Sequence, residues 1–144
     1  MKISEAGLEL IKSYEKCRLE AFRPTPKDVP TIGWGHTKGV MMGDTCTQEE
    51  ADAWLLDDLL EAENCIRSAI SLPLTDGEYS ALVSLVYNIG CHAFRGSVLL
   101  RCILDGNMDG ARDQFAVWNK QKGAVLAGLT ARREAEAELW ESTA

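Results

Sequence analysis

The chain has no apolar run longer than a few residues, so nothing in it is long enough to cross a bilayer as a helix, which takes about twenty. Proline is scarce. Of the four, Pro24, Pro26 and Pro30 fall within one short stretch, which leaves nearly all the rest of the chain open to regular structure. Histidine occurs only at His36 and His92, and the five cysteines (Cys17, Cys46, Cys65, Cys91, Cys102) include no C-x-x-C pair. A zinc site needs ligands at short intervals, so no metal and no other cofactor is expected. Met1-Lys2-Ile3-Ser4-Glu5 opens directly into an acidic amphipathic pattern, without the basic and then apolar regions of an export signal. With an odd cysteine count, this predicts a reducing compartment and five free thiols.

Positive charge is also in short supply. Fifteen Lys and Arg face twenty-two Asp and Glu, for a net charge of −7 over 144 residues. The excess acid is confined to residues 47–78, which carry nine acidic side chains and one basic one. Polyanion binding driven by overall charge is disfavoured, so no nucleic-acid partner is expected. Local binding of an anionic group beside Lys120, Lys122, Arg132 and Arg133 remains open. Apolar residues at 46% and charged residues at 26% are the ordinary mix of a soluble globular domain, and no repeat or low-complexity stretch interrupts it.

The spacing of apolar residues predicts a helix from Ser4 to about Glu15, with Ser4 as its cap. Arg18-Leu19-Glu20-Ala21-Phe22 alternates as a half-buried strand does, and Thr31–His36 reads as a second short strand carrying two glycines. From Thr47 onward only helix is expected. Thr47-x-x-Glu50 and Thr75-x-x-Glu78 are capping boxes. Ala51, Trp54, Leu55, Leu59, Ala62, Ile66 and Ala69 recur at helical steps over about six turns. Residues 81–87 are apolar nearly all round, as in a buried helix, and three shorter helices follow near 97–104, 108–119 and 130–141. The expected architecture is a single α+β domain over residues 1–144, mostly helical. It comprises a small sheet lobe (about 1–46), a linking helix (about 47–70) and an all-helical lobe (about 73–144), with a cleft between the lobes where a site would form.

Glu15 ends a helix whose last turn is apolar, and a carboxyl kept protonated near neutral pH can act as a general acid. The plainer reading is a solvated glutamate pairing with Lys12 or Arg18. Asp28 and Thr31 lie in the hairpin, where an aspartate usually caps a turn and a threonine is usually a β-former. Asn88 and Gly90 fit a helix end, and Arg132-Arg133-Glu134 fits a solvated face. Taken singly, none of these names a reaction.

Their order along the chain does. The run Glu15-Lys16-Cys17-Arg18-Leu19-Glu20-Ala21-Phe22, followed by Thr31-Ile32-Gly33-Trp34-Gly35-His36-Thr37, closely resembles the active-site region of the phage-type lysozymes, the muramidase endolysins. The resemblance continues through Ser84–Gly90, through Phe94-x-Gly96-Ser97-x-Leu99-Leu100-Arg101, and through Gly128-Leu129-x-x-Arg132-Arg133-x-x-Glu136. It implies a lysozyme-like fold and cleavage of peptidoglycan between N-acetylmuramic acid and N-acetylglucosamine. Glu15 would be the catalytic acid and Thr31 would position water. Arg18 and His36 would hold the lobe together, while Tyr87, Asn88 and Ser97 would line the glycan site. The partner implied is the peptidoglycan strand, met by a monomer with no stable membrane insertion. An endolysin of this kind would be made in the host cytoplasm and act on the wall after release.

One feature departs from the family pattern. An aspartate usually follows two residues after the aromatic that closes the first strand, but here Phe22 is followed by Arg23 and Pro24. The first acid left in the loop is Asp28. It either takes over as the second carboxylate or only caps its turn. The missing aspartate keeps two alternatives beside a hydrolase: a lytic transglycosylase, which needs one carboxyl, and a catalytically inactive wall-binding module.

Overall fold

Three helices begin at their expected caps in the computed structural model, which describes residues 1–142. The Ser4 hydroxyl accepts the Gly7 N–H at 3.1 Å and starts α1 (Glu5–Glu15). Thr47 and Glu50 exchange hydrogen bonds of 3.0 and 3.1 Å at the head of α2 (Gln48–Ala69). Thr75 and Glu78 do the same at 2.8 and 3.1 Å ahead of α3 (Asp76–Ile89). Each box satisfies two backbone groups that a helix start leaves open. Further on lie α4 (Cys91–Arg95), α5 (Val98–Leu104), α6 (Met108–Gln114) with a 3-10 turn at Phe115–Val117, and α7 (Ala127–Glu141). The short α4 was not expected from the sequence.

The described chain groups into two units, Lys12–Leu60 and Met1–Ile11 with the residues from Glu61 onward. In the first, β1 (Arg18–Phe22) pairs antiparallel with β2 (Thr31–Gly33), in a register that shifts between Arg18↔Gly33 and Phe22↔Thr31. The second strand stops three residues short of His36. Gly33 (φ 66°) and Gly35 (φ 103°) turn the chain back, and Ile32 and His36 exchange two backbone hydrogen bonds of 2.9 Å. Only glycine suits Gly33: its φ is left-handed, and a Cβ there would sit 3.2 Å from that of Ala51.

The second unit is built on α3, buried at every residue from Tyr79 to Val86 and packed chiefly against α7. Phe94, Leu99, Ile103 and Phe115 complete its core, with Trp140 edge-on to Phe115 at 5.6 Å. Each such side chain contributes about 1.5–3 kcal/mol by leaving water. A Cβ on Gly77 would lie 2.4 Å from the Leu139 carbonyl, so the α3–α7 contact requires glycine there. Residues 1–11 belong to this unit because Ile3 donates its N–H to Glu63 (3.2 Å) and Ser4 donates to the Ser80 hydroxyl (2.9 Å).

Two expectations are corrected here. The region after Thr47 is not all helix: β3 (Lys120–Gln121) and β4 (Ala124–Val125) form a hairpin. Its loop residues Lys122 (φ 53°) and Gly123 (φ 82°) are both left-handed, the two-residue turn that matches strand twist. Nor are there five thiols. Cys65 near the end of α2 is bonded to Cys91 at the start of α4, with Cα atoms 5.9 Å apart. The two helix ends meet across a sequence separation of 26, which spacing rules do not register. Cys17, Cys46 and Cys102 are free thiols, each half-buried. No described helix is long and apolar enough to cross a membrane.

Candidate active site

Glu15, Asp28 and Thr31 all fall in the unit Lys12–Leu60. Glu15 is the last residue of α1 and is half-buried. The helix ends just beyond it because Lys16 turns left-handed (φ 60°) while its N–H still reaches the Lys12 carbonyl at 3.1 Å. Glycine is the usual residue at such a corner. A lysine held there is a local strain, and it fixes where the chain leaves the helix next to the Glu15 carboxyl.

Thr31 opens β2 and is 9% exposed. Its hydroxyl donates to the Val29 carbonyl at 3.1 Å. With the proton committed, Oγ1 faces any further partner as an acceptor. Asp28 is exposed, and its carboxylate accepts the Thr25 N–H at 3.1 Å while its own N–H donates to the Thr25 carbonyl at 3.0 Å. Arg23 adds a 3.3 Å bond to the Asp28 carbonyl. This is the turn-capping geometry that the sequence offered as the second reading of Asp28.

A shell of side chains from α2 holds the Thr31–His36 segment. Trp34 donates its indole N–H to Asp52 at 2.7 Å, Gln48 donates to the same oxygen at 3.0 Å, and Lys12 lies 4.0 Å from it. These bonds, that of Trp34 foremost, hold the Asp52 carboxyl below its ordinary pKa. His36 stacks on Trp54 with ring centroids 4.7 Å apart, and its Nδ1 meets Asp58 at 2.8 Å. Arg18 lies over the Phe22 ring at 4.2 Å. Both therefore brace the unit. Sequence reading passed over Trp34, Asp52, Trp54 and Asp58. The only available signal was the tryptophan inside the Thr31–His36 block.

Tyr87, Asn88 and Ser97 fall in the other unit. Tyr87 is half-buried and Asn88 exposed in the last turn of α3. Ser97 is buried and caps α5. Its hydroxyl donates to the Phe94 carbonyl at 2.7 Å and accepts the Leu100 N–H at 3.0 Å, so its one proton is committed to the fold.

The expected basic patch is divided. Lys120 and Lys122 are exposed on the β3–β4 hairpin, but Arg132 and Arg133 are 4% and 1% exposed. Arg133 Nε lies 2.9 Å, and Arg132 Nε 3.3 Å, from the buried Glu136 carboxylate, which also accepts the Ser84 hydroxyl proton. Burial pushes the Glu136 carboxyl upward, and Arg133, Arg132 and Ser84 pull it back. Arg133 Nη2 also donates to Asn88 Oδ1 at 2.8 Å. Among the described residues no three His, Cys, Asp or Glu side chains gather as a metal would require.

Comparison with known proteins places these residues in context. The phage lysozyme family model matches residues 12–136. The chain is 42% identical over 146 residues to an endolysin of Acyrthosiphon pisum secondary endosymbiont phage 1, covering 99% of each. It is 37% identical over 142 residues to an endolysin of Bacillus phage B103, covering 97% of this chain but only 54% of that one. Among solved structures, the muramidase domain of SpmX from Asticaccaulis excentricus superposes with a TM-score of 0.91 at 39% identity, over 98% of both chains.

Proposed function

Because the chain belongs to the phage lysozyme family, we propose that it is an endolysin that hydrolyses the β-1,4 bond between N-acetylmuramic acid and N-acetylglucosamine in peptidoglycan. Glu15 donates its proton to the glycosidic oxygen as the bond to the sugar breaks. Water, held by a hydrogen bond to Thr31 Oγ1, attacks the anomeric carbon and loses its proton to solvent, from which Glu15 is reprotonated. The observation that carries this reading is the Thr31 hydroxyl bond to the Val29 carbonyl. A threonine that can only accept receives a hydrogen bond from water and leaves a water lone pair free for attack. Glu15 beside the strained corner at Lys16 supports the same reading, since a site held by its surroundings has less reorganising to do.

Asp28 enters this scheme through its turn, which sets the loop leading into β2. Tyr87 and Asn88 contact the glycan, and Ser97 shapes the α4–α5 corner. We place the action at the cell wall, after release from the host cytoplasm in which the protein is made.

The turn-bound Asp28 also favours a second reading, a lytic transglycosylase in which the muramic acid hydroxyl replaces water. Product analysis separates the two. Purified peptidoglycan digested with the protein is expected to yield reducing muramic acid ends. Anhydromuramic ends would establish the second reading, and no cleavage at all would leave a wall-binding module.

A further inference from the structure

Arg133 and Asn88 form a pair whose chemistry runs in one direction. A guanidinium has only donors, so the amide oxygen of Asn88 must be the atom that faces Arg133, as it is at 2.8 Å. The amide nitrogen is thereby turned away from Arg133. Asn88 is exposed, and its Nδ2 has no hydrogen-bond partner among the described residues. Arg133 cannot easily move: it is 1% exposed and ion-paired to Glu136, which Arg132 and Ser84 hold in turn. The buried cation also polarises the amide and strengthens its two N–H donors.

We propose that Arg133 is a positioning residue that fixes Asn88 as a one-way donor, and that Asn88 Nδ2 recognises an acceptor-only oxygen carried on the glycan. The strong acceptor-only oxygens of a peptidoglycan strand are the acetamido carbonyl of either sugar and, on the muramic acid side, the carbonyls and carboxylates of the attached peptide. A sugar hydroxyl, which donates as well as accepts, makes weaker use of a donor-only partner. This inference rests on the reading of the chain as a glycan-binding enzyme, and it gives the buried ion network around Glu136 a task beyond stability. Burying such a group is neutral or unfavourable compared with apolar packing.

Titration of two probes in a Glu15→Gln background, which stops turnover, tests it. One probe is the hexamer of N-acetylglucosamine, whose strong acceptor-only groups are acetamido carbonyls; the other is a disaccharide-peptide fragment of peptidoglycan, which adds the carbonyls and carboxylates of its peptide. Asn88→Asp keeps the acceptor for Arg133 and the size of the side chain but removes both donors. A tenfold or greater rise in Kd is expected, with the melting temperature unchanged or raised. Loss on both probes names the acetamido group, and loss on the fragment alone names an oxygen of the peptide. Unchanged affinity for both overturns the proposal.

The positioning role is read from a cycle. Arg133→Lys should weaken binding when Asn88 is present and have no further effect in Asn88→Ala. Equal loss in both backgrounds overturns it. If Arg133→Lys does not fold, Arg133→Gln in the same two backgrounds supplies the comparison, and the Asn88→Asp result stands by itself. A parent protein that binds neither probe removes this proposal together with the reading it rests on. Binding by the parent with no effect of Asn88→Asp removes this proposal alone.

Discussion

Trp34 and Asp52, eighteen residues apart in sequence, are joined by a 2.7 Å hydrogen bond from the indole nitrogen to the carboxylate. The bond is charge-assisted only while Asp52 is ionised, and it lowers the carboxyl pKa in the folded chain. A group whose folded pKa lies below its unfolded value stabilises the fold above the unfolded pKa, about 3.9 for Asp, and loses that contribution as pH falls through the folded value. Asp52→Asn is therefore expected to melt below the parent protein near neutrality, with the gap closing below about pH 4. A gap that stays constant into acid would show that the charge of Asp52 plays no part. The half-exposed carboxylate keeps the effect modest.

Glu15→Gln keeps the shape of the side chain and removes its proton. Turbidity clearance of cell walls should fall by at least a hundredfold, the lower end of acid–base effects, with circular dichroism and melting temperature unchanged. Retention of more than about a tenth of the activity would take Glu15 out of the acid role.

For Asp28 the discriminating variant is Asp28→Asn, which keeps an oxygen for the Thr25 N–H and discards the charge. The turn should survive, and turnover should change by less than about threefold, or 0.7 kcal/mol. A tenfold fall at constant melting temperature would instead make Asp28 the second carboxylate, acting on the water.

Removing the Ser97 hydroxyl separates support from contact. Ser97→Ala should cost about 1 kcal/mol of stability, the usual worth of a helix cap, and leave the affinity for N-acetylglucosamine hexamer unchanged. Weakened binding at intact stability would return Ser97 to the glycan site.

The Cys65–Cys91 bond predicts three titratable thiols in denatured, unreduced protein. Reduction, or Cys91→Ala, should destabilise the fold by about 3 kcal/mol, given the sequence separation of 26. Five thiols without reductant would show the bond to be absent.

What the sequence made legible was local. Ser4, Thr47 and Thr75 announce their helices because a cap and its partner lie within four residues of each other. Glu15 and Thr31 are nameable because they sit in contiguous blocks. The β3–β4 hairpin escaped because its turn is Lys122-Gly123 rather than the asparagine–glycine pair that signals such loops. The partners of Trp34 and His36 are Asp52 and Asp58 on α2, where one acid looks like another until the chain is folded. Arg132 and Arg133 read as surface charge, because sequence records the charge but not its burial. The Cys65–Cys91 bond leaves no trace in spacing, because its two cysteines meet only once the end of α2 and the start of α4 are brought together.

The membership of Met1–Ile11 in the unit that otherwise starts at Glu61 bears on how the chain comes to be folded. Ile3 and Ser4 wait for Glu63 and Ser80, so residues 1–11 cannot find their place until α2 and the start of α3 have been made. Residues 12–60 can close on themselves earlier, leaving α1 with its apolar face unattended until α3 is synthesised. Covalently rejoining the ends and reopening the chain just after Lys16, where α1 ends, would keep that helix whole and make the discontinuous unit one continuous stretch. It should then acquire structure in the order in which it is made, and the lag before native contacts form should shorten.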